Sequence, residues 1–331
     1  MFGQHVLELN LEAEVQRITS FLQRATAELK RKGLVVGVSG GIDSSTCLAL
    51  AARALGPHRV VGLLMPERDS SGKSIELGRS VCEAVGVPFE VEELSPILAA
   101  AGCYRRRDEA IRSVFPEYTE DYKQKIVIPT IEDRERITFF SIVIQSPSGE
   151  TKKARLPLKA YLQVVAATNF KQRTRAMMEY YHADRLNYAV VGTPNRLEYD
   201  QGFFVKGGDG LADIKPIAHL YKSQVYAMAR HLGLPDKVCS SVPTTDTYSL
   251  EQGQDEFYFA LPYDKMDLLL YAFNHDVPPA EAGAPLGLSA EQASWVYRDI
   301  QIKRRTTRYL HLPPVLVEEL PGVGAHLEPG V

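Results

Sequence analysis

The sequence predicts an α/β fold: a doubly wound, Rossmann-like parallel sheet with an inserted β-hairpin and a helical C-terminal region. Three observations support this fold class. Short apolar runs typical of buried strands alternate with segments whose apolar residues recur at helical spacing. A β-branched segment with a polar turn interrupts the alternation within residues 119–158. After residue 236 helical spacing prevails.

The first third of the chain alternates helices and strands. Apolar residues from Val15 to Leu29 recur at helical spacing, so the chain opens with a helix that packs on the sheet. Pro66 ends the second apolar run, and Gly86 ends the helical segment that follows it. We expect strands at 34–38, 59–65 and 89–92, and helices at 11–29, 46–55, 74–85, 96–101 and 109–114.

The segment 119–158 breaks this rhythm. It contains the runs 126–128, 137–145 and 151–156, with a polar turn at 146–149, and the central run is β-branched and aromatic. This pattern predicts an inserted β-hairpin. Three interpretations remain open for it: a lid over a site, a contact for a second subunit, or a surface extension without a function of its own.

Residues 159–232 return to the alternating pattern. We expect a long helix at 159–181, a fourth strand at 188–192 and a helix at 222–232 that Gly233 and Pro235 end. The apolar strands predict a parallel sheet that helices cover on both faces. Sheets of this kind bind ligands beyond the carboxyl ends of their strands, near the point where the strand order switches.

The C-terminal third begins with a polar, turn-rich stretch at 240–253, for which we expect a mobile loop. Helical spacing returns at 263–273 and again at 289–304. Residues from 321 onward are rich in glycine and proline, which predicts a frayed end.

A chain of 331 residues suits one large domain over 1–331, with 119–158 as an insertion and 240–320 as the mobile loop plus the C-terminal helices. The net charge of −3 means that the chain has no overall positive potential that would attract nucleic acid. Two basic runs, 105–107 and 303–305, are more typical of solvated surface than of a site for an anionic substrate.

The four cysteines form no Cys-x-x-Cys pair and no cluster with zinc spacing. The sequence also has no secretory signal and no apolar run of membrane length. We therefore expect a reducing, cytoplasmic setting, with neither a membrane nor a nucleic acid as partner.

The most informative stretch is 39–45, Ser-Gly-Gly-Ile-Asp-Ser-Ser, between the first strand and the helix that follows it. Backbone N–H groups at such a turn, with a helix dipole behind them, make an anion site. Gly40 and Gly41 let the backbone approach the anion closely. Asp43 places a carboxylate beside this anion site. A carboxylate next to a bound phosphate is favourable mainly if a cation lies between them. The loop's hydroxyl donors are Ser39, Ser44 and Ser45.

This loop lacks the lysine of the common P-loop motif, and Gly-x-Gly-x-x-Gly is absent from the chain. Ser-Gly-Gly-x-Asp-Ser resembles instead the pyrophosphate loop of the N-type ATP pyrophosphatases, whose fold is that of the adenine-nucleotide hydrolases. Members of that superfamily cleave ATP between its α and β phosphates and transfer AMP to an acceptor.

Later motifs make the resemblance specific. The long helix carries Asn-x-x-x-Arg-x-Arg from Asn169, and Asn169 and Arg173 fall on one side of it. From the residues alone, this run could bind a phosphate or ribose, or could be a solvated helix face. Gly-Thr-x-x-x-x-Glu begins at Gly192, Gly-x-Phe-x-Lys-x-Gly-Asp-Gly at Gly202, and Leu-Tyr-Lys-x-Gln-Val at Leu220.

In this order, and with Gln252-Gly-Gln-Asp-Glu256 further on, the series resembles NAD synthetase over residues 11–118 and 159–314. The resemblance implies a two-step amide synthesis. ATP adenylates the nicotinate carboxylate of deamido-NAD and releases pyrophosphate, and ammonia then displaces AMP. It further implies ATP and Mg²⁺ as cofactors and a homodimer. Since only about thirty residues precede the first strand, with no room for a glutaminase domain, we expect ammonia to be free or supplied by a separate protein.

The resemblance also implies roles for single residues. Loop residues Ser39, Gly40, Gly41, Asp43, Ser44 and Ser45 would bind the pyrophosphate of ATP, and Thr193 would lie beside the adenylate. The Mg²⁺ ligands would be Asp43 and Glu198. Asn169, Arg173 and Lys206 would contact substrate. The catalytic residues would be Lys206, beside the α-phosphate, with Asp209 and Asp213 near the nicotinate end and the ammonia path.

The chain departs from the family pattern at Gly207, where an aromatic residue is usual, and at Leu211, where glycine is common. Three alternatives therefore stay open. The chain could be an amide ligase of the same scaffold for a different carboxylate, a tRNA-modifying adenylating enzyme, or an ATP-binding regulator without catalysis. The absence of paired cysteines disfavours thiolation of tRNA.

Overall fold

The computed structural model describes residues 2–127, 140–241, 248–250, 253, 258–259, 261–318 and 320. Within these residues seven strands are defined. They are β1 Leu34–Gly37, β2 Val60–Leu64, β3 Phe89–Val91, β4 Lys123–Val127, β5 Ser141–Gln145, β6 Thr151–Arg155 and β7 Ala189–Val191.

The α-helices of the described residues flank these strands and form the C-terminal region. They are α1 Leu11–Glu28, α2 Ile42–Leu55, α3 Gly72–Val85, α4 Ser95–Ala100, α5 Cys103–Arg112, α6 Leu158–Leu186, α7 Arg196–Gln201, α8 Lys222–His231, α9 Asp236–Cys239, α10 Tyr263–Asn274, α11 Pro279–Gly283 and α12 Ala290–His311.

A parallel sheet of order β3-β2-β1-β7 forms the centre of the fold. Alternate residues of β1 enter two different cores. Leu34 and Val36 pack with residues of α1, α2, α3 and α8, while Val35 packs with Val190 of β7 and Ala183 of α6. Helices therefore cover both faces of the sheet, which confirms the predicted doubly wound α/β class.

The strand order switches at β1. The chain proceeds from β1 outward to β2 and β3, and it later returns to place β7 on the other side of β1. In the β1–β7 pair Val36 lies opposite Val191, so the segments that follow the two strands leave the same edge of the sheet side by side. This edge is where ligands bind in open parallel sheets.

The predicted elements agree with the structure apart from some of their ends. Helix α2 begins at Ile42 rather than at residue 46, because Gly41 is already its N-cap. Asp43 and the two serines after it therefore lie in the first turn of a helix and not in a loop. Helix α6 runs five residues beyond the predicted end and stops at Asn187, which adopts the left-handed conformation with φ of 56°.

The insertion contains an antiparallel sheet of order β4-β5-β6. Strands β5 and β6 form the predicted hairpin, in which Gly149 donates its N–H to the carbonyl of Ser146. Ile126, Ile142 and Ile144 face α5 and α6 and form a core of their own with them. The predicted strand residues 128 and 137–139 lie outside the described residues.

The C-terminal helix α12 packs against α7. The Arg304 guanidinium donates to both carboxylate oxygens of Asp200, at 2.6 and 2.7 Å. Gly202, just after α7, abuts Thr307 so closely that an added Cβ would lie 2.3 Å from the Cβ of Thr307. Helix α12 therefore positions the end of α7. Most of the predicted mobile loop 240–253, the motif 252–256 except Gly253, and the tail from 321 lie outside the described residues.

No helix in the described part of the chain has both the length and the apolar character that a membrane span requires. Both predicted surface runs are partly wrong. In the run 303–305 the Lys303 side chain is only 13% exposed, because it pairs with Asp299. Arg107 of the run 105–107 is 2% exposed, because it pairs with Asp69 and Asp108.

Candidate active site

The glycine loop between β1 and α2 has the backbone that an anion site requires. Gly40 adopts φ of +81°, where side chains other than glycine are strained, and an added Cβ would lie 2.6 Å from the carbonyl oxygen of Ser74. Gly41 caps α2 without a side-chain hydrogen bond, so the N–H groups of the first turn have no side-chain acceptor at the cap. These N–H groups and the helix dipole favour an anion at this point.

The loop serines have different surroundings. Ser39 is exposed, and its hydroxyl accepts the N–H of Gly41 at 3.2 Å. Ser44 and Ser45 are buried, and their hydroxyls donate to the carbonyl of Gly41 at 3.1 and 2.8 Å. Ser44 and Ser45 thus hold the turn in shape, whereas Ser39 presents its hydroxyl to solvent together with the loop backbone.

Asp43 lies at the centre of a polar group that joins three elements. Its Oδ2 accepts a hydrogen bond from the Lys222 ammonium of α8, and its Oδ1 accepts one from the Asn195 amide at 3.1 Å. Lys222 is 2% exposed. The α2 carboxylate is therefore fixed between the start of α8 and the segment that follows β7.

Glu198 joins the same group through Asn195. In a capping box at the start of α7, the Asn195 side chain accepts the N–H groups of residues 197 and 198, and Glu198 Oε2 accepts the N–H of Asn195 at 3.1 Å. Burial alone would lower the pKa of Lys222, but the carboxylates of Asp43 and Glu198 raise it above its ordinary value. Two carboxylates from two helix N-termini therefore flank one buried ammonium group. Thr193 follows β7 at the same edge, half-buried.

Lys222 is a residue of this group that the sequence interpretation did not assign to the site. Its motif, Leu-Tyr-Lys-x-Gln-Val, was recognised, but no role followed from it. The signal that could have identified it is a lysine at the first position of an amphipathic helix, since a helix start beside a buried carboxylate can bury an ammonium group.

A second group surrounds the loop at 202–210. Arg173 of α6 donates from Nε to the carbonyl of Lys206 at 3.3 Å, and Asn169 lies one turn earlier on the same helix. The Lys206 ammonium donates to the carbonyl oxygens of Tyr309 and Leu312, at 2.7 and 3.0 Å. These carbonyls form the C-terminal end of α12, so Lys206 neutralises the negative end of that helix dipole.

The two aspartates of this group make hydrogen bonds within the fold. Asp209 accepts the N–H of Val205 at 2.7 Å and closes the loop 205–209. Asp213 accepts the N–H of Val190 at 2.8 Å and the hydroxyl of Tyr180 at 3.2 Å. Asp213 thereby ties the loop to the edge of β7 and to α6.

A buried ion network fixes the segment that follows β2. Lys171, 1% exposed, binds Glu67 at 2.8 Å and Asp69 at 2.6 Å. The Arg107 guanidinium also pairs with Asp69, and the Tyr104 hydroxyl donates to Glu67 at 2.9 Å. Removing one partner of such a buried pair leaves a charge uncompensated, at a cost of about 3–5 kcal/mol. Helix α6 is thus locked to the carboxyl end of β2.

The chain is similar to proteins of one family over most of its length. The family model described as NAD synthase matches residues 14–114 and 136–308. The NH(3)-dependent NAD(+) synthetase of Rhizobium meliloti strain 1021 is 54% identical over 318 residues, which cover 96% of this chain and 95% of that protein. The protein of the same name from Mesorhizobium japonicum is 52% identical, with coverage of 95% and 99%.

Solved structures show the same fold at lower identity. NMN synthetase from Francisella tularensis superposes with a TM-score of 0.63 at 19% identity, covering 93% of this chain and 99% of that one. The NH3-dependent NAD synthetase from Campylobacter jejuni superposes with a TM-score of 0.62 at 20% identity, covering 94% and 100%. The match of the family model over most of the chain, together with relatives more than half identical along nearly its whole length, shows that the chain belongs to the NAD synthase family.

Proposed function

We propose that this protein converts deamido-NAD to NAD with ATP and free ammonia, by adenylating the nicotinate carboxylate and then aminating it. The observation that carries this proposal is the glycine corner, residues 39–41, which caps α2 without a side-chain hydrogen bond and has the carboxylates of Asp43 and Glu198 beside it. A carboxylate is a poor electrophile, and its adenylate has a good leaving group. An enzyme of this kind must therefore bind the pyrophosphate that ATP releases and offset the charge that develops on it.

The residues of the corner suit that task. The first-turn N–H groups of α2 and the exposed Ser39 hydroxyl would bind the two departing phosphates, and Gly40 and Gly41 keep side chains out of their way. Lys222 would compensate negative charge from within the fold. Thr193, at the end of the neighbouring strand, would lie beside the adenylate.

We propose that Asp43 and Glu198 hold Mg²⁺ with the phosphates of ATP. The donor set fits, because carboxylate oxygens are ligands that Mg²⁺ prefers, and it commonly uses one or two of them together with substrate phosphates. Asp43 already accepts one hydrogen bond on each oxygen, but each oxygen has a second lone pair. The ion would neutralise charge on the phosphates.

The group of residues around the loop 202–210 would bind the carboxylate substrate. Asn169 and Arg173 of α6 would contact it, and Lys206, Asp209 and Asp213 would act near the nicotinate end, where ammonia attacks. This assignment is supported by the hydrogen bond from Arg173 to the Lys206 carbonyl, which joins the two parts. The free, buried state of all four cysteines supports a reducing, cytoplasmic setting.

The proposed reaction predicts a specific set of products. With ATP, Mg²⁺, ammonium and deamido-NAD, mass spectrometry should detect NAD, AMP and pyrophosphate in equal amounts. Removing Mg²⁺ with a chelator should abolish turnover. Formation of ADP in place of AMP would contradict the proposal.

The same assay separates the alternatives. Nicotinate mononucleotide is the carboxylate to compare first, because an NMN synthetase shares this fold. Preferred amidation of that nucleotide would indicate an amide ligase for a different carboxylate, AMP transfer to tRNA would indicate a modifying enzyme, and ATP binding without pyrophosphate release would indicate a regulator. Turnover with ammonium alone would show that a separate ammonia-supplying protein is dispensable.

We propose that two copies of the chain associate through α6. This helix exposes two pairs of apolar residues at i, i+4 spacing: Leu158 and Leu162, 72% and 55% exposed, and Met177 and Tyr181, 53% and 57% exposed. Exposed apolar rows of this kind mark interaction surfaces. Since Arg173 lies between the two pairs, each active site would lie near the interface.

Replacing Leu162 by glutamate should break the dimer, since it places a charge in an apolar contact. Light scattering should give twice the chain mass of 36.8 kDa for the parent protein and the single mass for the variant. The matched control is Ile302→Glu, which changes an apolar residue of α12 that is 49% exposed, and it should leave the mass unchanged. A monomeric parent protein would refute the proposal.

A further inference from the structure

Glu179 is a carboxyl group at the ligand edge of the sheet to which no role has been given. It projects from α6 onto Gly37, the last residue of β1, which lies two residues before the glycine corner. A Cβ added to Gly37 would lie 2.2 Å from Glu179 Oε1 and 3.1 Å from the terminal methyl group of Met65. The carboxyl therefore occupies the space that the missing side chain of Gly37 leaves, against the apolar end of β2.

No hydrogen-bond donor contacts this carboxyl within the part of the chain that the structure describes. The charged and titratable groups that face it are Arg175 and Tyr180 of its own helix and Asp209 of the loop above. Burial, with the Asp209 carboxylate as a second cause, raises the pKa of Glu179 to about 8, and Arg175 opposes the rise. The Glu179 side chain is half-buried, so a carboxyl without a protein donor beside a proposed reaction site is open to a ligand that enters the site.

The loop with Lys206 and Asp209 lies close to this carboxyl, because the Asp209 carboxylate contributes to its raised pKa. Gly208 packs on α6 so tightly that an added Cβ would lie 2.8 Å from the Cβ of Gln172. Glu179 thus lies between the end of β1, after which the glycine corner begins, and the loop with Lys206 and Asp209, which was assigned to the nicotinate end of the substrate. A small cation with N–H donors would supply the missing hydrogen bonds there.

We propose that the Glu179 carboxylate accepts a proton from ammonium and so supplies the ammonia that attacks the adenylated carboxylate. This proposal rests on the proposed function. An N–H bond of ammonium breaks and an O–H bond forms on Glu179. The nitrogen lone pair then forms the C–N bond, the C–O bond to AMP breaks with its electron pair, and the nitrogen loses a second proton to water. An ammonium ion beside the carboxyl favours its ionised form, which offsets the effect of burial.

The test compares two nucleophiles in Glu179→Gln. Ammonium must lose a proton before it attacks, whereas hydroxylamine is largely neutral at pH 7 and needs no base. The variant should lose about 100-fold in kcat/KM for ammonium, the usual scale for a general base, and should keep the hydroxylamine rate within about threefold. The loss with ammonium should shrink between pH 7 and pH 9.5, because free ammonia becomes abundant.

The matched control is Asp184→Asn, which neutralises an exposed carboxylate of the same helix and should leave both rates unchanged. Glu179→Asp, which keeps the base, should recover part of the ammonium rate and guards against a folding defect in the glutamine variant. Equal losses with both nucleophiles, or no loss with either, would overturn the proposal. A parent protein that forms no NAD would instead refute the proposed function.

Discussion

Replacing Lys222 by methionine is expected to lower kcat/KM by about 10²- to 10³-fold, the scale for loss of one transition-state contact. Two effects combine. The phosphates lose a cation that is held in place, and the Asp43 carboxylate loses its ion-pair partner. Because Lys222 is 2% exposed, the unpaired carboxylate should also reduce the free energy of unfolding by about 3–5 kcal/mol. Steady-state kinetics and urea unfolding measure the two losses separately.

A second substitution separates folding from catalysis. In the double variant Lys222→Met, Asp43→Asn both charges are gone, and the Asn195 amide still has a side-chain oxygen to contact at position 43. Stability should therefore recover in part, because position 43 no longer carries an unpaired charge, although the Glu198 carboxylate still lacks the neighbouring ammonium group. Activity should not recover, because neither the ammonium group nor the carboxylate returns. Near-parental turnover in either variant would remove this ion pair from the chemistry.

The fold was largely predictable because the sequence carries both periodicities clearly. Each central strand is a short apolar run bounded by glycine, proline or polar residues, and the long helices have apolar residues at regular spacing. The differences lie at helix ends and in the short helices α7, α9 and α11, which the sequence did not predict. Helix α2 begins at Ile42 because a glycine is its N-cap, and the serines after it bond back to the carbonyl of Gly41 instead of ending the helix.

The sequence motifs of the site could be predicted, whereas the ion pairs between their side chains could not. Positions two residues apart lie on different sides of a helix, and on α6 Lys171 is buried whereas Arg173 is exposed. No pattern in the sequence reveals that its partners are Glu67 and Asp69, about a hundred residues away. The same limit applies to Lys222 and Asp43, since a buried ion pair depends on the tertiary fold.

Replacing Lys206 by alanine is expected to lower kcat by about 10²- to 10³-fold, if its ammonium offsets charge on the α-phosphate and the acyl adenylate. The structure gives this residue a second role, because the ammonium donates to the carbonyls of Tyr309 and Leu312 at the end of α12. A cation at an exposed helix end contributes only about 0.3–1 kcal/mol. Thermal unfolding should therefore shift by a few degrees at most, while turnover falls steeply.

The control must disturb the end of α12 without removing the ammonium group. His311 suits this purpose, because its ring packs edge-on against Tyr199 and Phe204, with centroids 4.9 and 5.0 Å apart. His311→Ala should lower stability at least as much as the lysine variant and leave kcat nearly unchanged. If both variants lost activity equally, docking of α12 would be the requirement, and Lys206 would act as a helix cap. A large loss in the lysine variant alone requires the ammonium to leave the α12 carbonyls and contact substrate during turnover.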